Sequence, residues 1–360
     1  MEKSKLLRYL FPFIAGVTLG FLYLWFFQPQ TLGLSRRTHL KSGSVWTGEK
    51  AATETIIPEP TKEPKLSIIF AGDLMLDRHV RLKAESDGYD SLLGESLKEL
   101  FINSNLVIAN LEGPITQNAS KSVGSEVGST NNFIFTFAPE SAEFLSKHNV
   151  KLVNLGNNHI TNFGKEGVIS TLNHLYQGGI EHFGWVASSP DLEEYNQEYL
   201  IIEVSGYLLG FVNFNQFSNQ QFTDTLKTVE DLRPQVEYLT VYTHWGTEYA
   251  PKPNQVIKDQ AHQLIDAGAD LVIGSHPHVI QPSEEYQQSK IYYSLGNFVF
   301  DQYFSPEVKR GQLVQLELER VLDEKGEEVL VDTFAEYEVL MSSGEAVKLF
   351  DEEILELTTN

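Results

Sequence analysis

The sequence predicts an α/β fold in which short apolar strands alternate with helices. Strand-like runs at 66–71, 106–110 and 270–274 are separated by segments with helical spacing, and polar residues follow directly after the runs. Alternation of this kind is typical of layered α/β proteins. Because the carboxyl ends of parallel strands open onto one crevice, we expect a mixed sheet with a functional site at its edge.

Helices are predicted where apolar residues recur every three or four positions. These segments are 91–101, one that begins near Pro139 and Glu140, 164–176, and about 254–267. Proline is tolerated in a first helical turn, and Gly178 with Gly179 is a C-cap signal. Further strands are expected at 151–155, 237–243 and 291–293, with antiparallel strands at 312–320 and 328–337.

Two further segments have distinct patterns. Strands at 199–204 and 207–214 are joined by Ser205 and Gly206, which predicts a hairpin. Residues 117–132 are rich in Ser, Gly and Asn and follow Glu112 directly. This segment is interpreted either as a mobile lid or as a plain surface insertion.

Charge limits the classes of partner. The formal net charge is −22, and it is uneven, since residues 1–59 hold seven basic against four acidic residues. A surface this acidic argues against nucleic acid or an anionic membrane face as the main partner. The acidity is also explained by solubility alone. Cysteine is absent, which excludes thiol catalysis, thiolate zinc sites and disulfides.

The N-terminus predicts a membrane anchor. After a short basic tail at 1–8, residues 9–27 form an uncharged run that would measure about 28 Å as a helix, close to the thickness of a hydrocarbon core. A cleaved signal peptide is the alternative, but the run is long and no small-residue cleavage pattern follows. Flanking charge does not set the orientation. We take the tail as cytoplasmic, which places the following domain on the extracytoplasmic side of a single-pass cell-membrane protein.

The remaining domain boundaries are predicted from composition. Residues 28–64 are polar and lack periodicity, which predicts a flexible linker between the anchor and the domain. The domain is expected at 65–345, and 346–360 is interpreted as a C-terminal extension.

Polar side chains at five strand ends form a candidate metal site. In chain order they are Asp73, Glu112, Asn158 with His159, His244, and His276 with His278. Carboxylates, imidazoles and amide oxygens are ligands for divalent cations. Each residue also has a structural explanation: Asp73 and Glu112 as caps or turn residues, the Asn158 segment as a turn, and a lone histidine as a structural group.

The spacing of two histidines strengthens the metal prediction. His276 and His278 are two residues apart, and alternate residues of an extended segment point the same way. Pro277 favours extended geometry at His276. Two imidazoles would then face one pocket. His159, beside Asn158, would be free for proton transfer, and Arg78 is a candidate for holding a substrate anion or, equally, for a surface salt bridge.

Six motifs resemble the bacterial CapA family, which is associated with synthesis and export of poly-γ-glutamate capsule. They are GDLMLDR (72–78), NLEGP (110–114), NLGNNH (154–159), HWGTEY (244–249), GSHPHV (274–279) and SLGNFVFDQ (294–302), and they run in order from about 66 to 302. That family is similar in turn to calcineurin-like metallophosphoesterases. The resemblance implies a four-layer α/β/β/α sandwich of metallophosphoesterase type, here preceded by the one N-terminal transmembrane helix.

The resemblance also implies roles for the strand-end residues. Asp73 and His278 would hold a first metal, Glu112 would bridge, and His159 would protonate the leaving group. Asn158, His244 and His276 would hold a second metal. Met75 stands where the phosphoesterase pattern has a histidine, so the first site lacks a ligand, for which His79 is a candidate.

Three functions are therefore open. The chain could be a metal-dependent, phosphoesterase-like hydrolase, with one or two divalent ions such as Mn, Fe or Zn. It could be a non-catalytic accessory subunit that works beside other membrane-bound capsule synthesis proteins and binds an anionic polymer or a phosphorylated precursor. It could also be an amide hydrolase acting on γ-linked peptide polymer.

Overall fold

Two β-sheets organise the part of the chain that the structure, a computed structural model, describes: residues 65–186 and 189–350. Helices and strands alternate along most of this range, so the prediction of a mixed α/β fold is confirmed. The predicted anchor at 9–27 and the whole predicted linker at 28–64 lie outside the described residues. Within the described ranges, no helix has the length and apolar character needed to cross a membrane.

The first sheet has eight strands. They are β1 (Leu66–Leu74), β2 (Leu106–Leu111), β3 (Val150–Asn154), β4 (Glu181–Phe183), β11 (Asn297–Val299), β12 (Arg310–Leu322), β13 (Glu328–Leu340) and β14 (Lys348–Leu349). Their order is β14-β13-β12-β1-β2-β3-β4, and β11 pairs with the end of β1. Strands β1 to β4 are parallel, and β12 is antiparallel to β1.

The second sheet has six strands. They are β5 (Tyr199–Val204), β6 (Tyr207–Asn215), β7 (Tyr238–His244), β8 (Leu271–Ser275), β9 (Ser283–Tyr286) and β10 (Ser289–Tyr292), in the order β5-β6-β7-β8-β10-β9. The middle strands β6, β7, β8 and β10 are parallel. The predicted hairpin is present. Strands β5 and β6 are antiparallel, and the two residues that connect them, Ser205 and Gly206, both have positive φ.

Six α-helices lie in the described ranges. They are α1 (Arg78–Asp87), α2 (Glu95–Ile102), α3 (Glu140–Lys147), α4 (Gly164–Gly178), α5 (Phe222–Leu232) and α6 (Gln255–Asp266). Gly179 caps helix α4, and its φ of 63° is left-handed as the C-cap signal predicts. Helix α6 begins after Asn254, whose side chain accepts from the Ile257 amide. The sequence did not predict α1 or α5.

Three hydrophobic clusters show how these elements are layered. One packs the first sheet against helices α1 to α4, with buried residues such as Val80, Leu97 and Leu145. A second joins the facing sides of the two sheets, where Phe70 and Phe211 belong to the same cluster. The third packs the second sheet against α5 and α6. The helices therefore cover the outer faces of two stacked sheets.

Close backbone contact fixes the end of β1, where the candidate site begins. A Cβ added to Gly72 would lie 1.9 Å from the carbonyl oxygen of Gly296. This approach allows the amide of Asp73 to donate to the same carbonyl at 3.0 Å. Gly72 therefore brings β1 against the segment that leads into β11.

Replacing Gly72 with alanine should destabilise the protein by about 1–3 kcal/mol, because the added methyl group meets backbone that cannot move aside. The measurement is denaturant unfolding of the two proteins. The control is Gly178→Ala at the end of α4, where the nearest atom is 3.3 Å away and alanine is the better helix former. Equal stability of Gly72→Ala and the unsubstituted protein would contradict the packing argument.

Candidate metal centre

The carboxyl ends of parallel strands from both sheets meet at one place. Asp73 on β1 pairs in register with Asn110 on β2, and Asn110 pairs with Asn154 on β3. In the second sheet, His244 at the end of β7 is in register with Ser275 at the end of β8. The strand-end prediction of a shared crevice therefore corresponds to the observed arrangement.

Asp73 is completely buried, and both of its carboxylate oxygens accept hydrogen bonds. Its Oδ1 accepts from Asn110 Nδ2 at 2.8 Å, and its Oδ2 accepts from the backbone amide of His276 at 3.1 Å. The ring Nδ1 of His278 also lies 3.1 Å from Oδ2. The carboxylate on the first sheet is thereby tied to the histidine segment on the second.

Glu112 is also completely buried, but neither of its oxygens has a hydrogen-bond partner. Three imidazole Nε2 atoms surround its Oε1, at 3.8 Å from His278, 3.9 Å from His159 and 4.0 Å from His244. These distances are too long for direct hydrogen bonds. Burial raises the pKa of Glu112 well above its usual value, and the nearby carboxylates of Asp73 and Glu248 raise it further.

His244 is oriented by groups behind it. Its Nδ1 lies 2.9 Å from Ser275 Oγ, and that hydroxyl donates to the carbonyl of Thr243 at 2.8 Å. Asn110 Nδ2 also lies 3.3 Å from Nδ1, so the place of the ring proton depends on the tautomer. Nε2 lies 2.9 Å from the amide oxygen of Asn158, to which it donates when it has the proton. His244 and Asn158 are therefore close enough to act as ligands of one ion when Nε2 is bare.

The backbone of the two neighbouring histidines differs from the prediction. His276 has a φ of 95° and His278 a φ of 57°, so neither is extended and Pro277 does not impose that geometry. Strand β8 ends at Ser275, and the chain turns through left-handed conformations that cost energy in residues other than glycine. Both rings nevertheless reach the site, with centroids 5.9 Å apart.

A fixed amide determines which nitrogen of His278 is free. Asn297 Nδ2 donates to Gln302 Oε1 and to the Val308 carbonyl, so its Oδ1 is the acceptor for His278 Nδ1 at 3.0 Å. Nδ1 therefore has the proton, and Nε2 points towards Glu112 as a bare nitrogen. This arrangement, a ligand histidine bound at its other nitrogen, is the usual one in metal sites.

His159 is held in the same way. The amide oxygen of Asn162 accepts from the Phe135 backbone amide at 2.9 Å and lies 3.1 Å from His159 Nδ1. The His159 ring lies 4.4 Å from that of Phe135. Burial lowers the pKa of His159 to about 4. At neutral pH the ring is therefore uncharged, with Nε2 bare.

The charge and the unpartnered atoms of this cluster fit a divalent cation. Burial lowers the pKa of His276 to about 3 and that of His244 well below its usual value, so these rings bring no positive charge at neutral pH. Glu112 has two orphaned oxygens and His276 an orphaned, buried Nδ1. Buried polar atoms are normally satisfied, and a cation would satisfy these together. The donor set of carboxylate, imidazole and amide suits Mn, Fe and Zn alike.

Glu248 also belongs to the cluster, although the sequence predicted no role for it. Ligand atoms lie within 4.8 Å of one another in three groups: Asp73, Glu112 and His278; Glu112, His244 and His276; Glu248, His276 and His278. The signal was its place in the HWGTEY motif, four residues after His244. Roles for the bridging amide of Asn110 and the supporting groups Ser275 and Asn297 were also missed, although each lies within one of the six motifs.

Met75 and His79 do not supply the ligand that the first site was expected to lack. Met75 is completely buried in the hydrophobic cluster beneath α1, and its sulfur lies 3.1 Å from the Asp77 amide. The His79 side chain is 74% exposed and lies 3.1 Å from Asp301. The structure therefore places His79 with Asp301 rather than in the cluster.

Arg78 lies beside the cluster and is paired. Its Nη2 is 2.5 Å from Asp301 Oδ1, and its guanidinium lies over the rings of Phe135 and Phe300 at 5.1 and 5.4 Å. The Arg78 side chain is 11% exposed. The salt-bridge interpretation is thus present in the structure, and a direct role in holding a substrate anion stays a prediction.

The sequence of this chain matches a known protein family. The family described as bacterial capsule synthesis protein PGA_cap matches residues 67–302, and this chain belongs to that family, as the motifs predicted. The PGA biosynthesis protein CapA of Bacillus subtilis strain 168 is 29% identical, over 77% of this chain and 73% of the relative. The capsule biosynthesis protein CapA of Bacillus anthracis is 28% identical, over 74% of this chain and 67% of the relative. The crystal structure of TT1561 of Thermus thermophilus aligns at 10% identity with a TM-score of 0.38, over 75% of this chain and 99% of that chain.

Replacing His276 with alanine should weaken binding of Mn²⁺ at least about tenfold, because the cluster loses one imidazole that would bind the ion directly. Calorimetric titration with Mn²⁺ and elemental analysis measure the affinity and the stoichiometry. His79→Ala is the matched control, since His79 faces Asp301. Equal affinities for the two variants would exclude His276 as a ligand.

Proposed function

We propose that this chain is a membrane-anchored protein of capsule (poly-γ-glutamate) synthesis or export, with a metal-dependent, hydrolase-like site of metallophosphoesterase type. Family membership and the names of the two Bacillus relatives support the capsule role. The observation that carries the hydrolase proposal is the buried Glu112 carboxylate, which lacks any partner and faces three imidazole nitrogens.

Six residues would hold one or two divalent ions: Asp73, Glu112, Asn158, His244, His276 and His278. When bound, such ions activate water as a nucleophile and neutralise negative charge on a phosphoryl group. Glu248 adds a seventh candidate ligand, a carboxylate oxygen on the exposed side of His276 and His278. Mn, Fe and Zn all accept ligands of these types, so the proposal covers these three metals.

The reaction proposed is hydrolysis of a phosphate ester. The oxygen of water bonds to phosphorus, the bond from phosphorus to the ester oxygen breaks, and the departing alcohol takes up a proton. His159 is the candidate donor. Because its pKa of about 4 leaves Nε2 bare at neutral pH, His159 must first take up a proton at that atom. Phe135 stacks on the ring and Asn162 holds Nδ1, so Nε2 is aimed towards the cluster.

The membrane location completes the proposal. Residues 9–27 would cross the cell membrane once, and 28–64 would tether the domain on the extracytoplasmic side. The domain would then lie beside other membrane-bound capsule synthesis proteins, with which it would associate. Its substrate would be an anionic polymer or a phosphorylated precursor rather than nucleic acid.

An accessory subunit without catalysis is the second candidate. Two observations favour it: Met75 occupies the hydrophobic core where the phosphoesterase pattern has a ligand histidine, and Arg78 is already paired with Asp301. A domain of this kind would use the same pocket to bind a chain or precursor. Co-purification of the full chain with integral membrane proteins, in the absence of any hydrolysis, would support this candidate.

Added Mn²⁺ should produce hydrolysis of a phosphomonoester or phosphodiester by the full chain, and His278→Ala should lower kcat/KM by at least about a hundredfold, since it removes a ligand. Release of phosphate or alcohol is the measurement. His262→Ala is a matched control, because His262 stacks on Tyr286 away from the cluster. Activity unchanged by His278→Ala would reject the site assignment, and release of glutamate oligomers would replace the phosphoesterase with an amide hydrolase.

A further inference from the structure

A cleft of about 440 Å³ opens beside the metal centre. Tyr249 lines the cleft, and its ring lies 6.1 Å from that of His278. The ring of Phe304, which is 67% exposed, continues the same wall 5.2 Å from Tyr249. Small-molecule sites measure about 300–1,000 Å³, so the cleft is large enough for a ligand. Tyr249 therefore connects the wall of the cleft to the histidine side of the cluster.

The walls of this cleft are apolar although they face solvent. Five exposed large apolar side chains line it: Leu82, Val127, Phe133, Tyr249 and Phe304. Single apolar residues are ordinary on a protein surface, but a contiguous group around one cleft marks a binding site. The ligand that fits here has an apolar part.

Free positive charge is scarce in the cleft. Among the described residues that line it, Arg78 is the one permanent cation; its guanidinium forms an ion pair with Asp301, although Nε and Nη2 make no hydrogen bond. His79 faces the same carboxylate. A polyanion is bound through several unpaired cations, which this cleft does not offer. Its walls therefore do not suit the poly-γ-glutamate chain itself.

Residues 117–132 form one wall of the cleft and are held in place by hydrogen bonds. Ser122 donates through its hydroxyl to the buried carboxylate of Asp77 at 2.8 Å, and the same Oδ2 accepts from the Thr136 amide at 2.8 Å. Arg78 Nη1 reaches Asn132 Oδ1 at 3.5 Å. These bonds hold residues 117–132 against α1. The segment, which was predicted to be a lid or a surface insertion, forms one side of the cleft.

We infer that the cleft binds the aliphatic part of an amphipathic ligand, a phosphate monoester of a long-chain alcohol, with the phosphoryl group at the metal centre. This inference rests on the proposed function and names its substrate class. The apolar walls take the chain, and the cluster of carboxylates and imidazoles, with its cation, takes the anionic group. The two parts of the site thus match the two parts of one molecule.

Binding of phosphonates, which cannot be hydrolysed, tests the inference directly. In the presence of Mn²⁺, the full chain should bind octylphosphonate at least about tenfold more tightly than methylphosphonate, because burial of two or three methylene groups accounts for that factor. Phe304→Ala should reduce this ratio several-fold. Tyr176→Ala is the matched control, since Tyr176 is 86% exposed and lies on α4 outside the cleft. Both changes are at exposed positions, so neither should prevent folding.

The outcomes separate this inference from the proposed reaction. Preference for octylphosphonate that Phe304→Ala reduces, with no hydrolysis of octyl phosphate, would support the cleft and reject the hydrolase. Hydrolysis of octyl and methyl phosphate with equal kcat/KM, together with equal phosphonate affinities, would overturn the cleft and leave the hydrolase. Tighter binding of a glutamate oligomer than of octylphosphonate would also overturn the inference.

Discussion

Glu112 lies at the centre of the molecule's chemistry, as a carboxylate removed from solvent with no donor to either oxygen. Leaving a charge unpaired in the interior costs several kcal/mol, so the surrounding structure must either neutralise it or supply a cation. The three imidazole nitrogens around it bring no hydrogen bond at 3.8–4.0 Å. Protonation, which the raised pKa of Glu112 favours, would remove the charge but leave both oxygens without partners, so the cluster is compatible with a cation site.

A network of asparagine side chains holds the site in place. Asn110 donates to Asp73 and accepts from both Asn154 and Asn157, so one amide links the ends of β1, β2 and β3. Asn157 also accepts from the backbone amide of His159. Because each buried amide is satisfied by another, the network resists local movement. Such rigid support is what a preorganised binding site requires.

Strand and helix prediction succeeded where the local pattern and the tertiary environment agree. The parallel strands β2 and β8 are continuous apolar runs, and a strand buried on both faces must have that composition. Helix α1 was missed because Arg78–Asp87 is mostly polar, with only Val80 and Ala84 buried. The extended geometry expected at His276 was wrong, since the chain leaves β8 by a turn that sequence spacing does not reveal.

The sequence by itself determined the alternation of helices and strands, the family and the residues at the strand ends. Hydrophobic periodicity and the order of motifs are properties of the linear sequence, so they need no tertiary structure. Tertiary structure alone decided that Glu112 has no partner, that Glu248 joins the histidines and that Arg78 is paired with Asp301. It also decided that exposed apolar residues from separate segments line one cleft. The physical reason is that burial, pairing and proximity arise between residues far apart in sequence, and no local pattern encodes those distances.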